Sequence, residues 1–151
     1  MSRAFDDALD ALASGEGSVT LPDARGDTEV DVAEVGRIGV RVREVRVHRS
    51  TERDVQHEAA ALPGRLRTLP DPLHPIEVSP ELGGAILRTR PEAIRDNEFF
   101  EVDVRRKHTR LRKHRVSDDG GREAVDWSLT RDQLRRLIDE VHGPEPEPEA
   151  D

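Results

Sequence analysis

Apolar positions along the chain follow two periods. Phe5, Ala8, Leu9 and Leu12 lie at i, i+3, i+4 and i+7, with Asp6, Asp7 and Asp10 turned away. This predicts a short amphipathic helix over residues 4–13, ended by Gly15 and Gly17. Val19-Thr20-Leu21 predicts a short strand, and Asp23-Ala24-Arg25-Gly26-Asp27 a turn or loop. Alternation then takes over. In Arg37-Ile38-Gly39-Val40-Arg41-Val42 the apolar side chains share one face and the arginines the other, as in a strand buried on one side. The phase slips afterwards, because Val45 and Val47 are odd-numbered where Ile38, Val40 and Val42 are even. A period-two chain keeps both sets inside only through a bulge or bend, expected near Arg43-Glu44.

In the middle, Val55, Ala59 and Leu62 form one helical face that Pro63-Gly64 is expected to break. Leu62, Leu66 and Leu69 fit a further turn of helix before Pro70, and the four prolines between positions 63 and 75 bar regular structure throughout. The second half predicts an antiparallel meander with strands at 75–79, 85–90, 98–106, 110–117 and 123–129. Gly83-Gly84 and Asp118-Asp119-Gly120-Gly121 mark its turns. Residues 106–110 read either as a break or as one long bent strand. Thr130-Arg131-Asp132-Gln133 has the spacing of a capping box, and Leu134, Leu137, Ile138 and Val141 form the stripe of a helix stopped by Gly143 and Pro144.

The expected fold class is therefore α+β. A mostly antiparallel sheet of about six to seven strands, ending in a meander, accompanies an N-terminal helix, a Pro-interrupted middle helix and a C-terminal amphipathic helix. Residues 1–143 are read as a single α+β domain, with an acidic region at 1–35, a connector at 50–74, and the meander plus helix at 75–143. Residues 144–151 alternate proline with acid and are expected to be a disordered tail.

Composition narrows the function. The chain has 151 residues, 34% hydrophobic and 37% charged, and a net charge of -8. As a whole it should repel nucleic acid and anionic membranes. Without cysteine it has no disulfide, thiolate nucleophile or thiolate zinc site. No uncharged run approaches the roughly 18 residues of a membrane helix, and the N-terminus lacks the apolar stretch of a signal peptide. A cytoplasmic protein with no membrane partner is expected. Lys107 and Lys113 are the only lysines among 24 basic residues. That bias points to a GC-rich bacterial genome, and arginine also suits bidentate pairing with carboxylates.

Candidate chemistry is sparse. There is no nucleophile elbow, and Ser50-Thr51 after His48 reads as a turn or cap. Gly15-Glu16-Gly17-Ser18 lacks the phosphate-loop lysine and sets a glutamate where phosphate would sit. The histidines at 48, 57, 74, 108, 114 and 142 have no metal-ligand spacing. On one strand, His108 and His114 would stand about 20 Å apart. Glu101 and Asp103 share one strand face and read as solvated carboxylates salt-bridged to arginine. No catalytic residue, metal or cofactor is assigned.

One segment departs from the rest. Arg105-Arg106-Lys107-His108-Thr109-Arg110-Leu111-Arg112-Lys113-His114-Arg115 carries seven formal positive charges and no acid. Cations on both faces predict an arm that projects or lies at a sheet edge, where charge also blocks edge-to-edge aggregation. The binding residues are then Arg105, Arg106, Lys107, Arg110, Arg112, Lys113 and Arg115. Trp127 is expected opposite residues 112–113, as a stacking residue if exposed and a core residue if buried. Between Met1 and Val35, nine acids face Arg3 and Arg25. That region and the tail are internal acceptors for the arm's charge.

The leading expectation is a non-catalytic protein–protein interaction or adaptor module, using the arm and sheet surface on an acidic protein or on another copy of itself. Alternatives are nucleic-acid binding through phosphate contacts at 105–115, and a small enzyme with a scattered Asp/Glu/His/Arg site.

Overall fold

The computed structural model describes residues 3–12, 15–89 and 97–144. Three sequence readings, the helix end at Ala13, the strand end at Arg90 and the tail at 145–151, lie outside the described residues. The elements run α1 (Arg3–Asp10), β1 (Gly17–Leu21), β2 (Thr28–Val35), β3 (Gly39–His48), α2 (Val55–Arg65), β4 (Leu73–Ser79), a 3₁₀ turn (Pro80–Leu82), β5 (Gly84–Thr89), β6 (Glu98–Arg105), β7 (His108–Val116), β8 (Arg122–Val125), β9 (Trp127–Thr130) and α3 (Arg131–His142).

All strands join one antiparallel sheet in the order β1-β2-β3-β7-β6-β5-β4, with β8 beside β7 and β9 beside β3. The fold is α+β with a mostly antiparallel sheet, as the patterning predicts, and the sheet is larger than predicted. The sequence reading passes over β2, although Val30 and Val32 alternate with Glu29 and Asp31. The segment at 123–129 divides at Asp126, so that β8 stays with β7 while β9 crosses to β3.

α2 and α3 cover one face of the sheet, and α1 packs on β1. Val30 and Val32 of β2, Val40, Val42, Val45 and Val47 of β3, Leu111 of β7, Val102 and Val104 of β6, and Leu87 of β5 form the inner face. They meet Leu134, Leu137 and Val141 of α3 and Val55, Ala59 and Leu62 of α2. Each of these valines and leucines contributes about 1.5–3 kcal/mol when fully buried. The phase slip resolves as a bulge: Asp31 pairs with Glu44 and Val32 with Val42, so Arg43 has no partner and the valines on both sides of it point inward.

α2 runs through Pro63 to Arg65, because a proline in the last turn removes just one internal hydrogen bond. Residues 66–72 form no helix, although Leu66 and Leu69 are buried. The capping box is present, with Gln133 N donating to Thr130 Oγ1 at 3.0 Å and Thr130 N to Gln133 Oε1 at 2.9 Å. Gly143 closes α3 at φ 75° and ψ -175°, a positive-φ backbone conformation open to glycine, and its N–H donates to Asp139 O. No helix among the described residues is long and apolar enough to cross a membrane.

Candidate functional site

The basic segment neither projects nor lies at an edge. β6 and β7 form a hairpin whose turn is Arg106-Lys107, and β7 is central, between β6 on one side and β3 and β8 on the other. Two residues make this placement workable. Thr109 and Leu111, both 0% exposed, interrupt the cations at the positions that face the helices. The remaining cations sort by the strand period into three groups.

The first group lies on the face of the sheet away from the helices. Arg105, Arg110 and Arg112 stand there with Arg46 of β3, Arg88 of β5 and Arg122 of β8. Three carboxylates serve all six. Glu44 meets Arg112 at 2.7 Å and Arg46 and Arg110 at 3.5 Å. Glu101 meets Arg88 at 2.8 Å and Arg122 at 2.9 Å, and Asp103 meets Arg105 at 2.9 Å and Arg110 at 3.5 Å. The register accounts for two of these pairs, because Arg88 lies opposite Glu101 and Arg110 opposite Asp103. Arg46 also lies opposite Arg110, a like-charge pair that Glu44 holds together.

The exposures are unequal. The carboxylates are 13–16% exposed, whereas the six arginines are 33–46% exposed. The acids are saturated, and each guanidinium keeps N–H donors turned to solvent. At one end of this face Arg88 lies over the Phe99 ring at 5.3 Å, and His114 packs on that ring at 5.5 Å. Burial pushes both His114 and His108 below the ordinary imidazole value.

The second group is the turn. Arg106 donates to Pro80 O at 3.2 Å, and the backbone carbonyls of Arg106 and Lys107 accept from Arg53 N and Arg49 N. The third group faces the helices. Lys113 and Arg115 meet Glu98 at 2.8 and 2.9 Å, and those hydrogen bonds hold the Glu98 carboxyl below its ordinary value. Among the described residues, the arm's ion-pair partners are thus Glu44, Glu98, Asp103 and Glu123, from neighbouring strands rather than from the N-terminal acidic region. Trp127 takes the core placement. It is 6% exposed, pairs with Val42 rather than with residues 112–113, and meets Phe100 edge-on at 5.2 Å.

Sequence reasoning missed a second ionic cluster, at the C-terminus of α3. Glu58 is 1% exposed and accepts from Arg49 (2.6 Å), Arg65 (2.7 Å) and Arg53 (3.3 Å). Burial alone would raise its carboxyl. The Arg65 hydrogen bonds and the surrounding guanidinium charges outweigh that and hold it below its ordinary value. The same arginines reach the end of α3: Arg65 donates to Glu140 O, Arg49 to Val141 O and His142 O, and Arg53 to His142 O and Pro144 O. Arg25 adds a bond to Gly143 O at 2.9 Å. Four guanidiniums therefore satisfy carbonyls that no helix can satisfy itself, at its negative pole. The cluster ties α2, α3 and the end of β3 together, and its role is structural.

A cavity of about 680 Å³ lies between α1, α3 and the start of β2. Its Asp23 and Arg25 form a 2.8 Å ion pair that shifts each further into its charged form, so neither is poised to exchange a proton near neutral pH. Among the described residues, no three His, Asp or Glu side chains gather as a metal site. Compared with protein-family models, curated proteins and solved structures, the chain matches none.

Proposed function

We propose that this chain is a non-catalytic interaction module that presents the uncovered face of its sheet to an acidic protein surface. The observation that carries this reading is the surplus of six half-exposed arginines over three saturated carboxylates, on a chain whose net charge is -8. A partner's carboxylates would accept the guanidinium donors left over, in the bidentate geometry that arginine favours. A protein fits better than a nucleic acid because the basic area is short. Glu29 and Asp31 of β2 border it, and a phosphate backbone running past the arginines would meet them.

The test is a titration of a labelled glutamate-rich peptide at low salt against the full chain and against R46Q/R110Q/R112Q. The proposal expects saturable binding, weakened about tenfold or more by the triple substitution, which corresponds to about 1.4 kcal/mol. Unchanged binding in that variant would overturn it. Tighter binding of single-stranded DNA, lost through the same substitutions and falling steeply with salt, would favour the nucleic-acid reading instead. Sedimentation across a concentration range tests whether the acidic surface is that of a second copy.

A further inference from the structure

The outer face carries a titratable group inside its arginine field. His108 opens β7 in the same alternation as Arg110 and Arg112, so its half-buried ring points away from the helices. It stands opposite His48 of β3, with ring centroids 6.3 Å apart. On its other side the hairpin register brings Arg105 of β6 across from it. Arg46 and Arg110, which face each other, lie two residues further along the same face, about 7 Å away. His114, the other imidazole of β7, is buried beside Glu101 and out of a partner's reach.

The carboxylates near His108 are committed elsewhere. Asp103 serves Arg105 and Arg110, and Glu44 serves Arg46, Arg110 and Arg112. Glu29 of β2 lies 2.7 Å from His48 Nε2. An imidazolium at position 108 would therefore stand among Arg46, Arg105, Arg110 and His48 without a carboxylate of its own. Burial most of all, joined by Arg46, His48 and Arg105 and opposed by Asp103, holds the ring below the ordinary imidazole value.

We propose that His108 is a binding residue for the acidic partner, taking up a proton as a partner carboxylate settles among His108, Arg46, Arg105 and Arg110. This rests on the outer-face reading given above. The incoming carboxylate supplies the counter-charge that the ring lacks, and so favours the imidazolium. Linkage then requires the converse: proton uptake by His108 tightens the complex as pH falls. For each pH unit by which binding raises the ring's pKa, affinity at low pH gains about tenfold.

The test measures the affinity of the labelled glutamate-rich peptide for the full chain at pH 7.5 and 5.5, at constant ionic strength. The glutamates stay ionised over that range. Binding should be about threefold or more tighter at pH 5.5. H108Q should match the unsubstituted chain at pH 7.5 and lose most of the gain at 5.5. The imidazole Cε1–H resonances give a second readout that needs no substitution. The titration midpoint of His108 should move up in the presence of saturating peptide, while His57 of α2 and His142 of α3, on the helix side, keep theirs. Equal affinity at the two pH values, a gain undiminished in H108Q, or a His108 midpoint that does not move would overturn this inference and leave the outer-face reading standing. No binding at either pH would overturn both.

Discussion

Arg49 Nη2 lies 2.6 Å from Glu58 Oε2, with both side chains buried, which fixes the end of β3 against α2 through an ion pair that solvent does not screen. Burial lowers the Arg49 pKa to about 10, so the guanidinium stays charged at neutral pH. The pair is viable because Nη1 and Nη2 of Arg49 also reach the last carbonyls of α3 and Thr109 Oγ1.

Removing the carboxylate from this cluster should be severe. Glu58→Gln leaves Arg49, Arg53 and Arg65 crowded without a counter-charge, and a loss of about 3–5 kcal/mol is expected. Urea denaturation measures it. The double variant R49M/E58L should lose less than the sum of its single variants, since neither charge is then stranded.

His142 sets the acid limit. Its ring is 0% exposed, its Nε2 lies 2.7 Å from Thr28 Oγ1, and burial lowers its pKa from 6.5 to about 4. Above pH 6.5 the ring is neutral in both folded and unfolded chains and has no effect on the pH dependence. Between 6.5 and 4 the unfolded chain takes up the proton and the folded one resists it, so stability falls as pH falls, by about 2–3 kcal/mol across that window. Glu58, held below its ordinary value of 4.5, adds its loss only at lower pH. Denaturation midpoints measured from pH 7 to 4 should slope downward, and H142Q should flatten the slope.

Thr130 should carry a measurable share of α3. T130A removes the hydroxyl that accepts from Gln133 N and is expected to cost about 1 kcal/mol, whereas T130S should cost little. Thermal unfolding of the two variants distinguishes them.

The outer-face arginines should matter little to stability. R112Q, at a side chain 39% exposed, is expected to cost under about 1 kcal/mol. E44Q should cost more, because it leaves Arg46, Arg110 and Arg112 facing one another, and added salt should shrink that cost. Melting temperatures at two ionic strengths give both comparisons.

Much of this architecture is legible in the order of residues, and what escapes has physical reasons. The valine phase slip marks the bulge at Arg43, and the Thr130–Gln133 spacing marks the start of α3, because both are local and depend on the period of one element. The place of β7 is not local. Its cations suggest an exposed arm until Thr109 and Leu111 are seen as the two positions a central strand needs to bury, with Glu44, Glu101 and Asp103 supplied by its neighbours. Glu58 does leave a signal. It occupies the i+3 position of the Val55, Ala59 and Leu62 stripe, where a charge survives only if something distant neutralises it. The place of Trp127 beside Val42 depends on β9 crossing from β7 to β3, which no local pattern encodes.

The most direct test of the outer-face account observes the guanidiniums themselves. The arginine Nε–H resonances of the ¹⁵N-labelled chain can be followed during titration with the glutamate-rich peptide, after assignment by single substitution. The account predicts shifts concentrated on Arg46, Arg88, Arg105, Arg110, Arg112 and Arg122, with Arg49 and Arg65 unmoved. Shifts confined to other arginines, or none at peptide concentrations that saturate binding, would contradict it.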